Sequence, residues 1–414
     1  MAPELQAGPR PAGPGVLAQV RVLDLSRVLA GPWATQTLGD LGADVIKIER
    51  PARGDETREW GPPEIQGAGY SAYYASTNRN KRSVTVDITK PAGREVLVAL
   101  ARGSDVLIEN FKVGAAARFG LDYPSLSKLN PRLVYCSITG FGQTGPYAAR
   151  AGYDAMMQAM GGLMSITGRA GAVPGAGPQK MGVAMVDLTT GLYAAIAILA
   201  ALLHRERTGT GQYIDLALLD VSVALLANQG LNYLATGVAP GRHGNAHPNI
   251  VPYQDFPTRD GWFMLAIGND QQFAQFCRCA GHPEWSQDPR FSINRQRLAH
   301  RDALIALMSE VTRTRTTRQW IEALEPLAVP CGPINDIAEV FADPQVLARQ
   351  LRVDIPAGVN QTIPGIASPL HLSAAPAQYR RPPPALGEHT HEVLRDILGL
   401  STAQIEALSA QGVI

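Results

Sequence analysis

An α/β fold is predicted for this 414-residue chain, with a mostly parallel sheet covered by helices on both faces and a smaller α/β segment beside it. Three observations carry that expectation. Short apolar runs alternate with helical patterns, 20–25, then 31–41, then 44–48, which makes one β-α-β unit. The runs are apolar on both faces, as strands buried between crossover helices must be. The length exceeds the roughly 250–300 residues that one core usually holds, so two domains are expected.

Taken in order, residues 20–25 read as the first strand, 31–41 as a helix and 44–48 as the second strand. A third strand is expected over 83–87. The helix over 91–102 follows, with Pro91 in the first turn, where a missing N–H costs nothing. Strands recur at 105–108 and 133–138. An apolar helical run extends from Asp187 to Arg207, then a strand over 212–216 and a long helix over 219–235. The Gly-, Pro- and His-rich stretch 237–252 reads as a domain boundary. Residues 261–267 begin the smaller segment, with helices near 270–280, 299–312 and 317–324. From Asp336 the chain runs on in short helices, including 388–398 and 402–409. The main domain is Rossmann-like in pattern, but no Gly-x-Gly-x-x-Gly opens its first helix, so nothing points to NAD. Ligands belong at the strand C-terminal ends, where Arg27, Arg50, Asn110 and Thr139 lie.

Composition narrows the function. With 45% hydrophobic and 18% charged residues the chain is an ordinary globular one, and a net charge of +1 supplies no field for nucleic acid. The longest apolar stretch, 194–203, is well short of the roughly 20 residues that span a bilayer and ends in His204-Arg205-Glu206-Arg207. It reads as a buried core helix, with no membrane partner. Residues 1–19 carry Pro9, Pro11 and Pro14 without an apolar signal region, so a flexible leader and a cytoplasmic location are expected. Cys136, Cys277, Cys279 and Cys331 are too scattered for a disulfide framework. His243 and His247 stand four apart but lack the intervening Glu of zincin spacing, and no metal is expected.

Asp187 stands in Met185-Val186-Asp187-Leu188-Thr189-Thr190-Gly191, at the start of its helix. From the residues alone it reads as an N-cap accepting the first free amides. It also reads as a nucleophilic carboxylate, ionised at neutral pH from a reference pKa near ~4. The two readings are compatible, since the helix dipole favours the anion by roughly 0.3–1 kcal/mol.

Further segments bear on the choice: Arg27-Val28-Leu29-Ala30-Gly31-Pro32, Val45-Ile46-Lys47-Ile48-Glu49-Arg50-Pro51 with Gly54-Asp55, Asn80-Lys81-Arg82-Ser83, Ile108-Glu109-Asn110-Phe111 and Gly161-Gly162. In order and spacing they resemble the family III CoA-transferases, the CaiB/BaiF group that contains formyl-CoA transferase, from about Val20 to the C-terminus. The resemblance implies a CoA-transferase in which Asp187 attacks the acyl thioester. It gives an aspartyl anhydride and then an aspartyl-CoA thioester, with neither ATP nor metal. CoA and acyl-CoA are substrates, and no cofactor is held permanently. Val28, Ala30, Arg50, Asn110, Phe111 and Arg118 match CoA contacts of the family, and Val86 and Thr139 are assigned to the same binding site. Arg27, Tyr153 and Gly244 are assigned to the acid substrate. The resemblance also implies a large CoA-binding domain formed from 20–225 and 336–414, a small domain with linkers over 226–335, and an interlocked homodimer.

Each tetrahedral intermediate needs preorganised amides. Gly140-Phe141-Gly142 and Gly241-Arg242-His243-Gly244-Asn245 are both candidates, and both also read as ordinary turns. Arg27, Leu29, Thr139 and Phe141 depart from formyl-CoA transferase, so a different acid is implied. Guanidinium matches carboxylate bidentately, so Arg27 points to a dicarboxylate: succinyl-CoA as donor and glutarate or a relative as acceptor. Two alternatives remain beside this one. An α-methylacyl-CoA racemase would need a histidine where Tyr153 stands, and tyrosine, with a reference pKa near ~10, is a poor base. A non-catalytic CoA-binding protein would keep the pocket without the chemistry.

Overall fold

The structure is a computed structural model and describes residues 15–171 and 173–414. Of the leader expected over 1–19, residues 1–14 lie outside those described. Residues 15–19 form a turn in which Leu17 is buried and its N–H donates to Leu41 O at 3.0 Å.

Six strands form one parallel sheet: β1 (Arg21–Asp24), β2 (Asp44–Glu49), β3 (Lys81–Thr85), β4 (Val106–Glu109), β5 (Val134–Thr139) and β6 (Tyr213–Ala217). Their order is β3-β2-β1-β4-β5-β6, and each neighbouring pair is parallel. The order reverses between β1 and β4, and in such sheets ligands settle beyond the strand C-termini at that switch. On one face Leu23, Ile46, Val84 and Leu107 pack with Leu97 of the helix Pro91–Arg102 and with Val393 and Ile405 of the helices Thr390–Asp396 and Thr402–Ala410. On the other face the helix Ala30–Asp40 packs against the long helix Met185–Thr208. That approach requires glycine, because a Cβ on Gly191 would lie 2.6 Å from Ala30 O and 3.0 Å from the Trp33 side chain.

The long helix has 24 residues and by length and composition alone could cross a membrane. Here Val186, Ala194, Ile198, Ala201 and Leu202 are buried, and Arg205 near its end donates to Asp105 Oδ1 at 2.9 Å.

β3 starts two residues earlier than expected. Lys81 and Arg82 look polar in sequence, but each is buried by ion pairing, Lys81 with Asp24 at 3.2 Å and Arg82 with Asp44 at 2.7 Å. The helix expected over 219–235 is two, Leu218–Ala224 and Ala227–Thr236, because Leu225 and Leu226 turn and Ala227 takes φ +44°. The helix expected over 299–312 likewise divides at His300.

The chain forms two compact units. The first comprises residues up to Gly162, Met181–Gly230 and Leu347–Ile414; the second comprises Leu163–Lys180 and Leu231–Val346. The first unit also carries an antiparallel hairpin, β10 (Arg352–Pro356) with β11 (Thr362–Ile366), where only short helices were expected; Ile355 and Ile363 are its buried pair. The second unit holds an antiparallel sheet of β7 (Tyr253–Pro257), β8 (Trp262–Ala266) and β9 (Cys331–Pro333). Its core is aromatic, with Phe263 and Phe276 stacked on Trp320 at 6.3 and 6.0 Å.

Candidate active site

The loop after β1 is fixed from below by two buried lysines. Lys47 Nζ donates to Ser26 O and to Asp55 Oδ2, both at 2.9 Å. Burial disfavours its charge, yet Asp55 and Asp24 hold its pKa above the ordinary lysine value. Lys81 Nζ donates to Asp24 Oδ2 at 3.2 Å and to Pro32 O at 3.0 Å. Burial outweighs its partners and lowers its pKa to about 8. These contacts hold Val28 at φ +72°, a left-handed conformation that costs a β-branched residue of order 1–3 kcal/mol. The Val28 N–H is satisfied by the Asp55 carboxylate, at 3.2 and 3.3 Å from its two oxygens.

Above this loop lies a cavity of 180 Å³ lined by Arg27, Val28, Leu29, Ala30, Glu56, Asn110, Phe111, Thr139, Arg150, Tyr153 and Asp187, among others. The first helix begins there, at Ala30, with no side-chain cap; Ala30 is buried in the cavity wall, Pro32 has no N–H, and the Trp33 N–H donates to Leu29 O at 2.8 Å. Gly140 and Gly152 bring two backbones together in the same wall: a Cβ on Gly152 would stand 2.6 Å from the Gly140 Cα.

Asp187 is not the N-cap of its helix. Ala184 occupies that position, and Asp187 sits two residues inside the helix start at Met185, in the first turn. Capping is supplied by Asp154, whose Oδ1 accepts from the N–H of Val186 at 2.8 Å and of Asp187 at 3.2 Å. The Asp187 carboxylate is therefore left over for chemistry. The residues alone suggest full ionisation of Asp187 at neutral pH, and the buried setting corrects that expectation. Burial first, and then the Asp154 charge, push its pKa up to about 7. Removing a carboxylate from water outweighs the fraction of a kcal/mol that the helix dipole returns.

A second cavity, of 280 Å³, is lined by Leu25, Ile48, Arg50, Gly54, Val86, Asp87, Ile88, Thr89 and Phe119. Arg27 and Phe111 line both cavities. Its lining is mixed: Leu25, Ile48, Val86, Ile88 and Phe119 supply apolar surface that suits an aromatic ring, Glu49 and Asp55 are paired with Arg58 and Lys47, Asp87 adds a carboxylate, and Arg50 is an exposed cation that suits an anionic group.

Of the residues singled out in sequence, Asp187, Arg27, Val28, Ala30, Asn110, Phe111, Thr139 and Tyr153 share the first cavity, and Arg50 and Val86 line the second. Arg118, exposed at the end of the helix Ala115–Arg118, lines neither, though its neighbour Phe119 lines the second. Gly244 belongs to the second compact unit, where it takes φ +62° and its N–H donates to Gly168 O at 3.0 Å. In the other glycine segment the Gly142 N–H is already spent on Thr139 Oγ1 at 2.9 Å.

Sequence reasoning missed four participants. Asp154 is one. Glu56 is another, pairing with the Arg27 guanidinium at 3.2 Å in the cavity wall. Arg150 lines the same cavity and lies over the Tyr147 ring at 4.6 Å. Tyr73 stands near the start of the Asp187 helix: burial, then Asp187, Asp154 and Asp55, raise its pKa to about 12, so it remains a neutral O–H. The one local signal was the Gly54-Asp55-Glu56 run, which places Glu56 beside a residue already noted.

Residues 17–390 match the model of CoA-transferase family III. A succinate–glutarate CoA-transferase of Agrobacterium fabrum is 52% identical over 385 residues, 92% of this chain and 95% of that protein. The human succinyl-CoA:glutarate CoA-transferase is 44% identical, over 96% of this chain and 90% of its own length. Among solved structures, a CaiB/BaiF family protein of Brucella suis is 48% identical with a TM-score of 0.81, covering 94% of this chain and 99% of that one.

Proposed function

The chain belongs to CoA-transferase family III and is an enzyme of the CoA-transferase type, and from that premise we propose that it moves coenzyme A from succinyl-CoA to glutarate or a closely related dicarboxylate, with Asp187 as nucleophile. The single observation that carries the reading is a half-buried carboxylate in one cavity joined, through Arg27 and Phe111, to a second that offers the apolar surface of Leu25, Ile48, Val86 and Phe119 beside the exposed cation of Arg50. CoA is long and bipartite, and two such cavities suit its thioester and nucleotide ends.

In the first step an Asp187 oxygen attacks the thioester carbonyl carbon, the C–S bond breaks, and CoA leaves as thiolate. The thiolate then attacks the aspartyl carbonyl of the anhydride and releases succinate, which leaves an aspartyl-CoA thioester. The acceptor carboxylate opens that thioester, giving a new anhydride. CoA thiolate takes its acyl group and frees Asp187. Water must be kept from both covalent species, and the partly buried position of Asp187 serves that need. The uncapped N–H of Ala30, in the wall of the Asp187 cavity, is a candidate donor to the tetrahedral oxyanions.

Arg27 and Tyr153 contact the acid, Arg50 and Arg118 the nucleotide phosphates, and Val28, Ala30, Val86, Asn110, Phe111 and Thr139 the pantetheine and adenine. Arg27 supports the dicarboxylate because it already holds a carboxylate, that of Glu56. Incubation with succinyl-CoA and a panel of free acids, with every new thioester identified by mass, tests the reading. Turnover of monocarboxylates alone would sink it.

The homodimer is also proposed. Leu192, Ile196 and Leu203 form one exposed apolar face of the long helix, more than a lone helix leaves to water without a partner. Interlocking of the two chains is what the family resemblance implies. A cytoplasmic location is supported by four free cysteines, Cys136, Cys277, Cys279 and Cys331.

A further inference from the structure

We propose that Asp154 is a positioning residue for the transfer, one that holds the first turn of the nucleophile's helix and supplies a fixed charge against which Asp187 ionises. The inference rests on the reading of Asp187 as nucleophile.

The geometry is that of a cap supplied from elsewhere. The helix Met185–Thr208 has no side-chain cap of its own. Its Val186 and Asp187 amides are taken by Asp154 Oδ1, at the start of the separate helix Asp154–Met160. The other oxygen, Oδ2, accepts from Gln158 Nε2 at 2.7 Å, and Gln158, itself buried, accepts from the Met181 N–H at 2.9 Å. Both Asp154 oxygens are thus committed to protein donors, so the side chain cannot swing away, and the Asp187 main chain is anchored to it directly.

The charge matters as much as the anchor. Of the groups around Asp187, Asp154 is the one whose charge acts on its titration. The Tyr73 phenol beside it is neutral. The cations that line the cavity, Arg27, Lys112 and Arg150, are exposed, and Arg27 is paired with Glu56. When an Asp187 oxygen bonds to the acyl carbon and the C–S bond breaks, the negative charge leaves with sulfur and Asp187 becomes part of a neutral anhydride. Repulsion from Asp154 is present in the resting enzyme and gone from both covalent intermediates. Asp154 therefore raises the resting carboxylate relative to the species that follow it, and makes it a stronger nucleophile once ionised.

Asp154→Asn keeps an oxygen able to accept the same two N–H bonds and removes the charge, at the loss of the bond from Gln158 Nε2, which Gln158→Ala removes by itself as the control; Asp154→Ala removes both anchor and charge. The test follows kcat and KM for acyl-CoA between about pH 5 and 9, with hydroxylamine trapping of the residue-187 adduct. In the unmodified enzyme, acylation should rise with pH through about 7. Asp154→Asn should move that midpoint downward and lower kcat above it about three- to tenfold, with KM within about twofold. Asp154→Ala should lose more in kcat. An unchanged midpoint and kcat in Asp154→Asn overturns the proposal. So does an unmodified enzyme with no limb near neutrality, a measurement that needs no variant to fold. Failure of the nucleophile reading is distinct, since it leaves residue 187 unlabelled in the unmodified enzyme.

Discussion

Arg27 and Asn110 exchange two hydrogen bonds across the switch between β1 and β4: the Arg27 N–H donates to Asn110 Oδ1 at 3.0 Å, and Asn110 Nδ2 donates to Arg27 O at 2.8 Å. The main chain at Arg27 is thereby clamped, while its guanidinium stands half-exposed and, among the described residues, pairs with Glu56. A fixed base and a mobile cationic tip suit a residue that must trade one carboxylate partner for another.

That trade predicts opposite effects at the two ends of the pair. Arg27→Ala should raise KM for dicarboxylates about 10–100-fold, the loss of one charge-assisted pair, and leave monocarboxylates little changed. Glu56→Gln should lower KM for dicarboxylates, because the competing carboxylate is gone. Steady-state kinetics with matched mono- and dicarboxylic acids checks both, and equal effects on the two classes would exclude Arg27 from acid recognition.

Removing the nucleophile separates binding from chemistry. Asp187→Ala should lower transfer by more than about 10³-fold. CoA affinity, measured by calorimetry, should stay within a few-fold, because Arg50, Val86 and Phe119 line a different cavity. Substantial residual turnover would show that another group carries the acyl chain.

Asp187 should also weaken the fold at alkaline pH. Its pKa rises from 3.8 to about 7 on folding, so the native state holds the proton more tightly. Stability from this source is complete below about pH 4 and is lost as pH climbs to about 7. Asp187→Asn should therefore be the more stable protein above pH 7, by about 1–4 kcal/mol, with the gap closing below pH 4. Urea unfolding at the two extremes measures it, and a gap independent of pH would contradict the shift.

Lys47 is fully buried, and its ammonium satisfies both Asp55 and Ser26 O. Lys47→Met should cost about 3–5 kcal/mol, most of it from the Asp55 charge left buried and alone. Adding Asp55→Asn should recover part of that loss, which a double-mutant cycle by chemical denaturation would reveal. Full additivity would mean the two groups do not interact.

The parallel sheet was legible because its strands are apolar runs separated by helical spacing, and Pro91 marked a helix start to the residue. β3 was displaced because Lys81 and Arg82 read as solvent-facing until Asp24 and Asp44 are seen opposite them. Short motifs singled out Arg27, Asn110 and Asp187, which line one cavity. Asp154 was not among them, since its partners lie 32 and 33 positions away and no local pattern announces a cap supplied by another helix. The raised pKa of Asp187 was equally hidden, because loss of water is a property of packing and not of spacing.

The core beneath the sheet joins residues made early to residues made late. Leu23 and Val84 share one apolar cluster with Val393 and Ile405, and the Asp87 N–H donates to Val413 O at 2.7 Å. Leu97 and Leu100 cover part of that face early, but a nascent chain must carry the rest uncovered while some 300 further residues are added, an interval in which exposed apolar surface invites aggregation. Folding of this unit is bound to be largely post-translational. Removing residues 390–414 would leave the early strands in that unfinished state for the life of the polypeptide, dependent on chaperones for solubility.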